Sequence, residues 1–205
     1  MIGEHYHSKH GAFNESKHVF LESGLVHFLN INSSRQVSVL EVGFGTGLNF
    51  LLSADYCTQN NINLNYVGIE AFPLATDLVS KTGYQNYLST ELWECFLSVY
   101  PNAFDQHAQL NANCRLFIDK SKLSDFISND QFDIIYFDAF AAIHQPEMWT
   151  TEALECVCRY LKPGGVFVTY AITGNLKRSM KALGFSIEKA PGAPGKREML
   201  RAIKL

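Results

Sequence analysis

Val37-Ser38-Val39-Leu40-Glu41-Val42 runs directly into Gly43-Phe44-Gly45-Thr46-Gly47. The first six residues form a short, β-branched-rich run, as expected of a buried parallel strand. The three glycines then mark a tight turn, where the absence of Cβ atoms lets a ligand approach the backbone. From Leu48 to Tyr56, residues Leu48, Leu51, Leu52 and Tyr56 fall on one side of a helix. A strand, a glycine turn and a helix in this order open a Rossmann-like sheet, with the helix N-terminus facing the turn.

Working outward, the pattern repeats. Leu64–Ile69 reads as a strand ending at Glu70, and a helical stretch follows Pro73 to about Lys81. Tyr84 to Asn113 is irregularly helical, interrupted by Pro101. Leu116–Ile118 is a strand ending at Asp119, followed by a helix with Leu123, Phe126 and Ile127 on one side. Phe132–Phe137 is a strand ending at Asp138. A helix from Thr150 to Leu161 is stopped by Lys162-Pro163-Gly164-Gly165. Val166–Ala171 is the next strand, and the helix from Asn175 to Leu183 ends at Gly184. Phe185–Lys189 and Arg197–Lys204 read as a closing strand pair. The alternation predicts an α/β fold: a mostly parallel, seven-stranded sheet with an antiparallel C-terminal strand and helices on both faces. Residues 1–205 read as a single domain, with 1–36 packing on the sheet or serving as a lid or substrate segment.

Composition sets the class. The 205 residues are 47% hydrophobic and 18% charged, as in an ordinary soluble globule. No apolar run is long enough to cross a bilayer, and the first residues carry neither a basic leader nor an apolar signal core, so a cytosolic protein with no membrane partner is expected. The cysteines at 57, 95, 114, 156 and 158 form no Cys-x-x-Cys pair, and neither a metal nor a redox site is expected. The net charge of −3 argues against simple field-driven nucleic-acid binding. The charge is unevenly placed, however. From Lys177 onward eight basic side chains face only Glu188 and Glu198. Such a stretch is either a basic face able to meet phosphates or a solvated surface.

The strand ends carry the candidate site. Glu70 can accept both hydroxyls of a ribose or cap the next helix. Asp119 can accept from an adenine amino group or sit in a surface turn. The spacing is Gly-x-Gly-x-Gly, whereas a dinucleotide site uses Gly-x-Gly-x-x-Gly, and no Lys-Ser or Lys-Thr follows as in a P-loop. Glu41 would suit the charged amino-acid end of S-adenosyl-L-methionine, directly or through water. Together with Lys162-Pro163-Gly164-Gly165 and the closing strand pair, this arrangement resembles the class I methyltransferases. In that fold the loop after Asp138 is where substrate meets the methyl group, and a carboxylate there can orient an amine and take its proton.

The resemblance narrows with Asp138-Ala139-Phe140-Ala141, Pro146-Glu147-Met148-Trp149-Thr150 and Gly43-Phe44-Gly45-Thr46-Gly47-Leu48-Asn49-Phe50. With Tyr6-His7-Ser8, Glu15-Ser16, Val19-Phe20 and Gly195-Lys196-Arg197-Glu198-Met199-Leu200, these motifs resemble the methyltransferase domain of the bacterial tRNA 5-methylaminomethyl-2-thiouridine biosynthesis family. What that implies is transfer of a methyl group from S-adenosyl-L-methionine to the aminomethyl group of wobble uridine, in the anticodon region of tRNA. Asp138 matches the aspartate assigned to catalysis. Glu41, Gly43, Phe44, Gly45, Thr46, Gly47, Asn49, Glu70, Ala71 and Asp119 are the expected cofactor residues. Phe140, Met148, Trp149, Lys196 and Arg197 are expected at the substrate, with core packing the competing role for Trp149. His5, His7, His10 and His18 crowd the N-terminal segment and line the cofactor mouth or touch RNA on this reading. Better-known family members carry an oxidase domain that this sequence, ending at Leu205, lacks, so a separate oxidase or aminomethyl-generating enzyme is an expected partner. Ala142-Ile143-His144-Gln145 also departs from the family's usual Pro-Ala-Lys-Asn run. A small-molecule amine transferase of the same fold (an N-methyltransferase or an aminopropyl transferase) and a non-catalytic RNA- or partner-binding protein remain the alternatives.

Overall fold

The structure, a computed structural model, describes residues 9–193 and 197–205. Three successive helical pieces come first: α1 (Lys9–Ser16), a π-helical stretch (Lys17–Val26) and α2 (His27–Asn32). Val19, Phe20 and Leu25 are buried, and Phe20 packs on Tyr136 with ring centroids 5.2 Å apart. Gly24 permits this approach, because a Cβ there would lie 2.8 Å from the Tyr136 ring. The described part of the leading segment therefore packs against the sheet.

The strands are β1 (Gln36–Val42), β2 (Asn63–Ile69), β3 (Ala108–Gln109), β4 (Cys114–Asp119), β5 (Phe132–Phe137), β6 (Leu161–Thr169), β7 (Phe185–Pro191) and β8 (Glu198–Lys204). They form one eight-stranded sheet in the order β3-β4-β2-β1-β5-β6-β8-β7. Strands β4, β2, β1, β5 and β6 pair in parallel, and β8 runs antiparallel to both β6 and β7. The strand beyond the expected seven is β3, a two-residue pairing with β4 too short to leave an apolar pattern. Successive strands move outward from β1 in one direction and from β5 in the other. The switch point, where a ligand crevice opens, therefore lies between the C-terminal ends of β1 and β5.

Helices α3 (Leu48–Gln59), α4 (Thr76–Val79), α5 (Thr90–Val99), α6 (Thr151–Cys158) and α7 (Gly174–Ala182) complete the fold. Alternation along β1 explains the two layers. Val37 and Val39 join Phe50, Leu51 and Phe96 in one core cluster, whereas Leu40 and Val42 join Leu154, Val157, Leu176 and Met180 in the other.

Local expectations fail where polar residues interrupt weak helical patterns. The helix expected after Asp119 is a single 3₁₀ turn, Leu123–Asp125; Phe126 is buried but Ile127 is 84% exposed. Ser128, Asn129 and Asp130 compete with helical hydrogen bonds there, and the Phe126 carbonyl accepts from the Tyr160 hydroxyl at 3.0 Å instead. Of the stretch from Tyr84 to Asn113, only α5 is a regular α-helix. Likewise α6 ends at Cys158, so Lys162-Pro163-Gly164-Gly165 lies inside β6, next to a register shift against β5.

Candidate active site

The strand ends are tied into one rim by backbone hydrogen bonds. Asp138 N donates to Val42 O at 2.9 Å, Gly43 N to Ile69 O at 3.0 Å, and Glu70 N to Asp119 O at 2.9 Å. Gly43, Gly45 and Gly47 all take positive φ, at 85°, 54° and 82°. Their surroundings differ. A Cβ on Gly43 would lie 2.5 Å from Asp138 O, and one on Gly47 would lie 2.9 Å from the Phe96 ring. A Cβ on Gly45 would meet nothing nearer than Gly43 O at 3.9 Å. The outer two glycines are required by packing, while the middle one faces open space.

Beneath the turn lies a network of two acids and an amide. Asn49, in the first turn of α3, donates from Nδ2 to Glu41 Oε1 at 2.7 Å and to Asp138 Oδ2 at 2.9 Å. Tyr66 donates from its hydroxyl to Glu41 Oε2 at 2.8 Å. The Asp138 carboxylate can only accept, which orients the amide nitrogen toward it and leaves Asn49 Oδ1 buried with no hydrogen-bond partner. Glu41 is 0% exposed. Its carboxyl is pushed well above the usual range, chiefly by burial and then by the neighbouring Asp138 carboxylate.

Two expected cofactor residues therefore turn inward. The Glu41 side chain is enclosed by Asn49 and Tyr66, so it supports the site through Asn49 and does not face a ligand directly. Phe44 is also buried, filling the space above Gly68, where a Cβ would lie 2.4 Å from its ring; only its backbone belongs to the turn.

Glu70 does not cap a helix, since the N-cap of α4 is Ala75 with no side-chain bond. Its two oxygens accept from Gly45 N at 2.8 Å and Phe72 N at 2.9 Å, binding the glycine turn to the segment after β2. Ala71 is half-buried beside it, and Phe72 is 77% exposed. Asp119 is half-buried at the end of β4, and nearby Ser121 Oγ is a second buried polar atom without a partner. Thr46 Oγ1 bonds the Tyr84 hydroxyl at 2.6 Å.

On the other side of Asp138 the loop is pinned from beneath. Tyr170 donates to Ala139 O at 2.9 Å, and Trp149 Nε1 donates to Phe140 O at 2.8 Å. Trp149 also packs edge-on against Phe137 and Tyr170, at 5.2 and 6.2 Å between centroids. It thus takes the packing role, and Met148 is half-buried with it. Phe140 is 48% exposed. Thr150 caps α6 by accepting from Ala153 N, so Asp138 is not needed as a helix cap. Arg197 is exposed. Lys196 lies outside the described residues, as do His5 and His7 and the side chain of His10, while His18 Nε2 is 2.7 Å from Pro191 O. Tyr66, Tyr84, Tyr170 and Ser121 support the site without having been singled out in the sequence. No spacing rule points to them, although Ser121 follows Asp119 by two residues and Tyr66 lies in the strand that ends at Glu70.

Comparison with known proteins gives the family and the fold. Residues 88–205 match the model of a family described as S-adenosyl-L-methionine-dependent methyltransferase. The tRNA 5-methylaminomethyl-2-thiouridine biosynthesis bifunctional protein MnmC of Leptospira borgpetersenii serovar Hardjo-bovis (strain JB197) is 31% identical over 95% of this chain and 31% of its own length. The protein of the same name from Pseudomonas savastanoi pv. phaseolicola (strain 1448A / Race 6) is 30% identical over 96% of this chain and 31% of its own. The chain thus spans about a third of these relatives. MNMC2 from Aquifex aeolicus superimposes with a TM-score of 0.71 at 17% identity, covering 94% of this chain and 60% of that one, which establishes the shared fold. The open glycine turn, the acids at successive strand ends and the orphaned Asn49 and Ser121 oxygens gather at one corner of the sheet, and the family match shows that this chain belongs to the S-adenosyl-L-methionine-dependent methyltransferases.

Proposed function

We propose that the protein methylates the aminomethyl nitrogen of 5-aminomethyl-(2-thio)uridine at the wobble position of tRNA, giving 5-methylaminomethyl-(2-thio)uridine. The observation that carries this reading is the Asp138 carboxylate, held by Asn49 at 2.9 Å at the switch point. The substrate class is supported by relatives whose names carry this biosynthesis and which align with nearly the whole chain.

When bound, S-adenosyl-L-methionine supplies a methyl group on a good leaving group, so the protein needs no nucleophile of its own. Glu70 would hold the ribose hydroxyls, Asp119 and Ser121 the adenine, and Asn49 Oδ1 an N–H of the amino-acid tail. The glycine backbone would border that tail. An alkyl amine is mostly protonated at neutral pH, and only its neutral form has a lone pair to donate. Asp138 would orient the nitrogen and accept its proton, leaving the lone pair free to take the methyl group that a bound cofactor would supply. Asn49 keeps Asp138 aimed, and Glu41 with Tyr66 keeps Asn49 in place. Phe140 offers an exposed ring on which an unstacked base can rest.

Such a substrate requires a prior reaction that creates the aminomethyl group, from an oxidase or other enzyme acting as a separate partner or as a further part of the polypeptide. Among the described residues no helix is long and apolar enough to cross a membrane; a cytoplasmic location follows from the tRNA substrate. The decisive experiment supplies S-adenosyl-L-methionine and tRNA from a strain lacking the modification, then analyses nucleosides by mass spectrometry. A gain of one methyl on aminomethyluridine is expected. Methylation of a free polyamine or small amine with none on tRNA would overturn the reading.

A further inference from the structure

Lys177, Arg178 and Lys181 on α7 and Lys189 on β7 line a cleft of about 510 Å³, completed by Gly174 and Ile187. Four positive charges share this space, and no acid among the described residues lines it. Of the neighbouring acids, Glu188 is directed elsewhere and Glu198 reaches one of the four, Lys189. Glu188, between Ile187 and Lys189 on β7, is engaged by Arg201 Nε at 2.6 Å, and Arg201 also reaches Ser23 O on the N-terminal helical segment, on the other side of the sheet. Glu198 is 3.8 Å from Lys189, with both side chains about half exposed, a pair that solvent screens heavily. Arg178 bonds a neutral partner, Asn175. Alternation along β7 therefore sorts charge: the acid turns to one face and is neutralised, while the face toward α7 stays basic.

The cleft is also at the right edge. Strand β7 is antiparallel to β8, which is antiparallel to β6, so β7 ends on the same edge as β1 and β5. Helix α7 starts at that edge, and Ser179 bonds Thr151 at the start of α6, directly after the loop that carries Phe140. Between β5 and β7 lie three strand spacings, about 14 Å, or roughly four base steps at 3.4 Å each. Compact ammonium groups spread along a groove match a phosphodiester chain, whose charges are regularly spaced and solvated.

We infer that the α7/β7 cleft is the docking surface for the sugar-phosphate backbone of the RNA, a few nucleotides from the base that enters the active site. The inference rests on the tRNA reading above. It adds Lys177, Arg178, Lys181 and Lys189 to the recognition surface, apart from the catalytic corner.

The test uses the full chain carrying Lys177→Ala, Lys181→Ala and Lys189→Ala together. All three side chains lie outside the buried core, so the melting temperature and S-adenosyl-L-methionine affinity should match the parent. Binding of tRNA is measured against salt, and methylation is followed separately. Each lost phosphate contact lowers the slope of log K against log salt by about 0.7, so a fall of about 2 is expected, with tRNA affinity reduced at least tenfold near 0.1 M salt. Arg159→Ala, which removes an exposed charge at the opposite edge of the sheet, should leave both nearly unchanged. Unaltered tRNA affinity and slope in the triple variant would overturn the inference, as would parental binding of polyglutamate as tight as that of tRNA. If the parent binds tRNA through the cleft yet methylates no aminomethyluridine, the docking surface stands and the substrate assignment fails.

Discussion

The corner beneath the glycine turn and the cleft beside α7 both hold clustered charge, and they treat it in opposite ways. At the corner, Glu41 and Asp138 share one buried amide donor; Glu41 is fully enclosed and Asp138 is half-buried. In the cleft, Lys177, Arg178, Lys181 and Lys189 stand in solvent with little neutralisation. Burial makes electrostatic interactions strong and geometry rigid, which suits proton transfer at a defined atom. Exposure keeps them weak, long in reach and salt-dependent, which suits attracting a polyanion. Chemistry is assigned to the first region and recognition to the second.

The largest effect that would break this division is Asp138→Asn. Turnover should fall by about 10²–10⁴-fold, as expected for loss of a general base, with calorimetric S-adenosyl-L-methionine affinity largely kept. A strong loss of cofactor affinity would make Asp138 a cofactor ligand instead. Next come the glycines. Gly43→Ala places a Cβ 2.5 Å from Asp138 O at φ 85° and should cost about 2–4 kcal/mol in denaturant unfolding. Gly45→Ala meets no packed atom; it should cost only about 1–2 kcal/mol while weakening the cofactor, and equal destabilisation by the two would contradict the open middle position.

Asn49→Ala sharpens the comparison from the corner. Without its shared donor, Asp138 becomes easier to protonate, so the acidic limb of the kcat/KM profile should move to higher pH while RNA affinity stays constant. An unmoved limb would reduce Asn49 to a packing residue. The smallest effect is a pH dependence. The native Glu41 carboxyl, raised by burial and by Asp138, keeps its proton at pH values where the unfolded chain, titrating near about 4.3, has released it. Wild-type stability should fall as pH rises above that value, until the native group also ionises. In Glu41→Gln this contribution is absent, and unfolding curves taken at several pH values should show a shallower decline.

The motif-bearing parts were legible because local chemistry fixes them. A β-branched run of six residues followed by three spaced glycines leaves few options besides a strand and a left-handed turn. Asp119 and Asp138 likewise fall at the ends of continuous apolar runs. Regions with weak apolar periodicity misled: Ile127 reads as core on a helix that polar neighbours prevent, and β3 is too short to carry a pattern. Direction was harder to read than position. Glu41 reads as a cofactor residue, but alternation along β1 directs it into the core beneath Asn49, away from the crevice. Trp149 was placed correctly in the loop, and only its bond to Phe140 O decides that it anchors the loop.

The sequence by itself determined the alternating strands and helices, the glycine turn, the acids at successive strand ends and the uneven distribution of charge. Each depends on residue type and near-neighbour spacing along the chain. Only the tertiary structure decided that Glu41, Asn49 and Asp138 meet, that Tyr66 and Tyr170 support them, and that the basic residues of α7 and β7 gather in one cleft while Glu188 turns away. Those contacts join residues far apart in the chain. They exist because the switch between β1 and β5 and the antiparallel return of β8 bring separate strand ends to a single edge.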